Sequence, residues 1–277
     1  MTSSMTMPAV FIGHGSPMNT LQANRFTQAW RDLGNSLPRP RAVLAISAHW
    51  FVNETLVTAM PQPRVIHDFY GFPRELFEFN YPAPGSPDVA AEVAELALPE
   101  SVRLDPDSWG LDHGTWSVLA HVFPHADVPV VQLSIHAGKP LEYHFELGRR
   151  LAPLRESGVL ILCSGNVVHN LSLVDFRAQE QGYDWAVRFD SEVRHIMQTH
   201  PWDVATALSN PDAGLAVPTP EHFLPLVYLC GLCAQAEQGA APFTEGPTFG
   251  SLTMTSYLLG HPSIDHRLES RVDPSLT

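Results

Sequence analysis

Five histidines in this chain stand in settings that favour chemistry over packing. They are His14 in Gly13-His14-Gly15-Ser16-Pro17-Met18, His49 in Ser47-Ala48-His49-Trp50, His113 in Asp112-His113-Gly114, His169 in Asn166-Val167-Val168-His169-Asn170, and His222 in Pro220-Glu221-His222. Neutral imidazole ligates zinc or ferrous iron, and three such ligands with open positions define a catalytic metal site. Imidazole also titrates near neutrality, so a further ring can carry a proton. No His-Glu-x-x-His occurs, so any site must be assembled from distant segments. The residues alone leave a second reading open, in which each ring only hydrogen-bonds its own loop.

Elements that would position these rings are readable as alternating strands and helices. Residues 8–13 and 41–47 are apolar runs of the kind buried inside parallel sheets. His14 and His49 follow their C-terminal ends, where open α/β sheets bind ligands. Further strands are predicted at 56–60, 102–104, 129–135, 159–163 and 250–257. Helices are predicted at 21–33 (capped by Asn19 or Thr20), 87–97, up to Phe123 after the His113 loop, 140–155, 184–199, 202–208 and 220–236. The irregular stretch Pro61–Pro87 is rich in aromatics and prolines, which suits a folded lid or a substrate-pocket wall. The whole reads as one α/β domain over 8–257. Its central sheet is mixed but mostly parallel, with helices on both faces, and a polar tail follows at 258–277.

Composition narrows the function classes. A net charge of −13, from 16 Lys+Arg against 29 Asp+Glu, disfavours nucleic acid or an anionic membrane as partner. No apolar run approaches the roughly 20 residues of a membrane span. Three cysteines make no disulfide framework, and Met1–Met7 lacks a secretory pattern, so a cytoplasmic protein is expected. There is no Gly-x-Gly-x-x-Gly, phosphate loop or Gly-x-Ser-x-Gly elbow, which argues against nucleotide cofactors and a serine hydrolase.

Taken together, the His14, His49, His113 and His169 motifs, His67-Asp68-Phe69-Tyr70-Gly71-Phe72-Pro73, Tyr81-Pro82-Ala83-Pro84-Gly85 and Pro218-Thr219-Pro220-Glu221-His222 resemble the DOPA-dioxygenase-type extradiol ring-cleavage enzymes. These belong to the class III extradiol, or protocatechuate 4,5-dioxygenase, superfamily. The resemblance runs in order from about residue 8 to 257. It implies a non-haem metal-dependent dioxygenase that opens a catechol, DOPA or a related one, with O2 to a muconic semialdehyde. It implies His14, His49 and His222 as metal ligands, although protocatechuate-type relatives use a glutamate third and Glu221 adjoins His222. It implies His169 as acid/base, and as a possible fourth ligand when zinc is bound, with His113 as a second catalytic histidine. Fe(2+) would serve activity, and Zn(2+) would fill the same donors as a resting form. A zinc hydrolase on the same histidines is the alternative, and a non-catalytic metal sensor a third possibility.

His67 and Tyr70 are candidates for the substrate pocket. Arg25, Arg64 and Arg74 are candidates for a substrate carboxylate. His121, His125, His136, His144, His195 and His200 lack motif context and are expected to be surface or core residues, and His261 and His266 in the polar tail are expected to be solvated bystanders. Cys230 and Cys233, in an apolar helical run, are expected to pack.

Overall fold

The computed structural model describes residues 6–260. His261, His266 and most of the expected C-terminal tail lie outside the described residues.

Near-continuous apolar runs become strands buried on both faces. They are β1 (Ala9–Gly13), β2 (Ala42–Val52), β5 (Val130–His136) and β6 (Val159–Gly165), joined by short β3 (Leu56–Thr58), β4 (Arg103–Asp105), β7 (Ala241–Thr244) and β10 (Ser256–Leu259). Their order is β4-β3-β5-β2-β6-β1-β10-β7. The centre, β5-β2-β6-β1, is parallel, whereas β3 runs antiparallel to β5, and β10 to both β1 and β7. Two residue pairs, β8 (Pro247–Thr248) and β9 (Leu252–Thr253), form a separate ribbon. The strand expected at 250–257 is thus divided. Its 252–255 part leaves the main sheet, with its Met254 backbone packed against Gly13, and only 256–259 joins that sheet.

Strand periodicity sorts side chains into two cores. Ala9, Phe11, Leu44, Ile46, Ile161 and Cys163 face one, and Val10, Ile12, Val43, Ala45, Leu160 and Leu162 face the other. Helices α1 (Arg25–Ser36) and α4 (His113–Val122) cover the second face. Helices α3 (Pro87–Leu96), α5 (Leu141–Arg150), α6 (Pro153–Glu156), α7 (Asp184–Thr199) and α9 (Leu224–Ala236) cover the first. Two short helices, α2 (Arg74–Glu78) and α8 (Ala213–Ala216), lie within the long connections. Among the described residues no helix is long and apolar enough to cross a membrane.

The first helix begins later than its sequence suggests. Asn24 caps α1, accepting from the N–H groups of Phe26 and Thr27, while the Thr27 hydroxyl accepts from the Asn24 N–H. Asn19 instead donates its side-chain amide to the His14 carbonyl at 3.0 Å, within a separate 3-10 turn at Pro17–Thr20. The helix expected at 202–208 is a 3-10 helix, Pro201–Ser209.

Candidate metal and active site

The strand ends set the site. Gly13 pairs with Gly165 and Ser47 with Ser164, so β1 and β2 reach the same level on either side of β6. His14 follows β1 at once. His49 lies within β2 rather than after it, where the register with β5 jumps from Ile46↔Leu133 to Phe51↔Ile135. Such an insertion re-aims the side chains it carries. His113 is the first residue of α4, whose cap is Asp112. Asp112 is fixed in turn by the Ser47 hydroxyl at 2.7 Å and by the Gln132 amide. His169 and His222 come from the loops after β6 and before α9, and the His222 carbonyl accepts from the Asn166 N–H at 2.9 Å.

The structure brings all five rings together. Ring centroids are 5.1 Å apart for His14–His49, 5.4 Å for His14–His222, 3.9 Å for His49–His113 and 3.4 Å for the parallel pair His169–His222. Ligating atoms of His14, His49 and His113 lie within 4.8 Å of one another, and so do those of His169, Glu221 and His222.

Hydrogen bonds at the back of the rings fix where the protons sit. The Ser164 hydroxyl donates to the Gly114 carbonyl at 2.6 Å, so it accepts from His14 Nδ1 at 3.0 Å. Asp68 accepts from His49 Nδ1 at 3.0 Å and from His113 Nδ1 at 2.9 Å. With both Nδ1 atoms donating, the Nε2 atoms of neutral His14 and His49 both carry lone pairs, yet they face each other at 3.2 Å. Two nitrogens each about 2.1 Å from one ion would stand about 3.0–3.4 Å apart in octahedral or tetrahedral geometry. The donor set fits a divalent cation.

Electrostatics agree. Burial, then the neighbouring rings, holds His14 and His222 well below the ordinary histidine range. Burial, and then His49, lowers His113 and takes His169 down to about 4. These rings are therefore neutral, the form that ligates or accepts a proton. Burial alone would lower His49 as well, but Asp68, Asp112 and Glu221 raise it overall. Burial opposes the Asp68 charge, but the His113 and His49 hydrogen bonds keep that carboxyl well below the usual range. The carboxylates thus make this centre favour positive charge. His14 is only 1% exposed, whereas the side chains of His49 and Glu221 are 18% and 22% exposed and give the cluster its accessible side.

In the sequence the neighbours of Asp68, His67 and Tyr70, are the pocket candidates of this loop. His67 donates to the Phe79 carbonyl at 2.9 Å, among Phe69, Phe77 and Trp116. Tyr70 is 92% exposed and stands in solvent rather than in a pocket wall. The legible signal for Asp68 was an acid in a loop of aromatics next to a histidine. Arg25 is engaged by Glu180, Arg64 by the Ser108 carbonyl and Arg74 by Glu78. A cavity of about 530 Å³ lies beside the His14 turn, lined by Ser16, Met18, Phe72, Phe176 and Met254 among others, and none of the five histidines lines it.

The glycines around His14 serve packing. Gly13 leaves room for the Met254 backbone, and Gly15 has a φ of +59° with the Met254 sulfur against it. His144 is fully buried against the Tyr228 hydroxyl at 3.0 Å, and burial lowers it to about 4. Cys230 and Cys233 are buried in α9.

A family model described as the catalytic LigB subunit of aromatic ring-opening dioxygenase matches residues 7–257. The chain is 47% identical over 267 residues to the 4,5-DOPA dioxygenase extradiol of Escherichia coli (strain K12), covering 93% of this chain and 96% of that one. It is 36% identical over 234 residues to the Beta vulgaris protein of the same name, covering 81% and 86%. A crystal structure of an uncharacterized protein from Escherichia coli K12 superposes with a TM-score of 0.79 at 43% identity, covering 92% of this chain and 100% of that one.

Proposed function

The chain belongs to the family of catalytic LigB subunits of aromatic ring-opening dioxygenases, and from that premise we propose that it opens a catechol, DOPA or a related catecholic acid, outside its two hydroxyls. The co-substrate is O2 and the product a muconic semialdehyde, which in the DOPA case can cyclise. The names of the Escherichia coli and Beta vulgaris relatives support this substrate class. The observation that supports the metal-dependent reading is the approach of the His14 and His49 Nε2 atoms to 3.2 Å, with each ring's Nδ1 bonded at the back by Ser164 or Asp68.

His14, His49 and His222 would hold the ion. Ferrous iron, when bound by three protein ligands, supplies positions for both catechol oxygens and for O2. His169, neutral at neutral pH, takes the proton of a catechol hydroxyl and returns it as the ring opens. His113, held from behind by Asp68, is assigned to the oxygen side, where an imidazole can answer developing negative charge. Zinc would be held by the same donors, with His169 available as a fourth, and would supply no redox chemistry.

The test is anaerobic loading with Fe(II), followed by a panel of catechols and then O2. Oxygen uptake with a yellow product is expected. No uptake and no colour across the panel overturns the reading, and zinc-dependent turnover indifferent to oxygen would favour a hydrolase.

A further inference from the structure

We infer that Asp68 is a positioning residue that sets the tautomers of His49 and His113 together, and so makes the inner nitrogen of each available to the centre. Its two oxygens are divided between the rings. Oδ2 accepts from His49 Nδ1 at 3.0 Å, and Oδ1 accepts from His113 Nδ1 at 2.9 Å and from the His113 backbone N–H at 3.0 Å. An ionised carboxylate only accepts, so both rings must present Nδ1–H to it and a lone pair at Nε2. No neutral side chain of this size can do the same. An asparagine has one accepting oxygen and one donating nitrogen, so one of the two rings would have to turn its N–H toward the centre.

The backbone N–H of His113 adds a restraint. Asp68 holds the start of α4 as well as the ring, and the adjoining Phe69 packs edge-on against that ring, centroids 5.5 Å apart. The aromatic loop is thereby keyed to β2 and α4 through one carboxylate.

This inference rests on the reading of His49 as a ligand, but its decisive measurement needs neither metal nor catechol. In metal-free wild-type protein, long-range 1H–15N spectra of the imidazoles should show both His49 and His113 with the proton on Nδ1 when neutral. Either ring found as the Nε2–H form overturns the proposal, whatever the enzyme's activity. In Asp68→Asn one of the two rings should change tautomer, and Zn(II) affinity measured by competition with a chelator should fall about 10–100-fold, the usual effect of losing such an outer partner. Asp68→Glu, which keeps two accepting oxygens, should restore part of that affinity. Unchanged tautomers in Asp68→Asn, with Zn(II) affinity within twofold of wild type, would equally overturn it.

Discussion

The carbonyl of His222 occupies the space that a side chain on Gly165 would need. A Cβ at 165 would overlap that carbonyl, and the next residue, Asn166, donates its N–H to the same oxygen at 2.9 Å. The last residue of β6 therefore sets the height at which the His222 ring enters the cluster. Gly165→Ala should displace the 220–224 turn, lowering metal stoichiometry measured after dialysis and costing about 1–3 kcal/mol, as overpacked sites do. A variant with native thermal midpoint and one tightly held metal per chain would contradict this coupling.

Ser164 has its single proton committed to the Gly114 carbonyl, which leaves it as an acceptor for His14. Ser164→Ala should weaken metal binding about 10–100-fold by freeing the His14 ring. It should also cost about 1–3 kcal/mol, because the buried His14 Nδ1–H loses its acceptor. His14→Ala should abolish metal binding while the far-ultraviolet circular dichroism stays native. Unchanged metal affinity in His14→Ala would remove His14 from the ligand set.

His169 and His222 stack with planes 7° apart, so replacing one also exposes a face of the other. His169→Gln should keep one Fe(II) per chain and lose about 10²–10⁴ in turnover, the typical contribution of a general acid/base. Loss of iron along with turnover would instead make His169 a ligand in the active form.

The fold and much of the cluster were legible in the sequence for identifiable reasons. Apolar runs at 42–46 and 159–163 have no period because both faces are covered, and glycine or proline beside His14, His113 and His222 marked chain turns. Asp68 was legible only as an acid beside a histidine in an aromatic loop, because its role depends on two rings that are 19 and 45 residues away in sequence (68 − 49 and 113 − 68). Asn19 and Asn24 carry the same cap signal in sequence, and the bond from Asn19 to the His14 carbonyl, five residues back in the turn after β1, leaves Asn24 to cap α1.

His144 gives the acid side of the stability profile a defined origin. Its value falls from 6.5 to about 4 on folding, because burial disfavours the charged ring. The unfolded chain therefore takes up this proton as pH drops through 6.5, while the folded protein does not until about 4. The stabilisation is fully present above 6.5 and is lost as pH falls through that window, at about 1.4 kcal/mol per pH unit and on the order of 3 kcal/mol in all. In urea titrations of metal-free protein between pH 4 and 6.5, His144→Gln should show a slope shallower by about one proton. An identical slope would mean that His144 is charged in the fold.

The Gly13 N–H donates to the Ser256 hydroxyl at 3.0 Å, and β10 lies between β1 and β7 at the opposite end of the chain. A nascent polypeptide that has already released all five histidines thus still lacks the strand that braces the first of them. A chain truncated between His222 and Ser256 would carry all five rings without that brace.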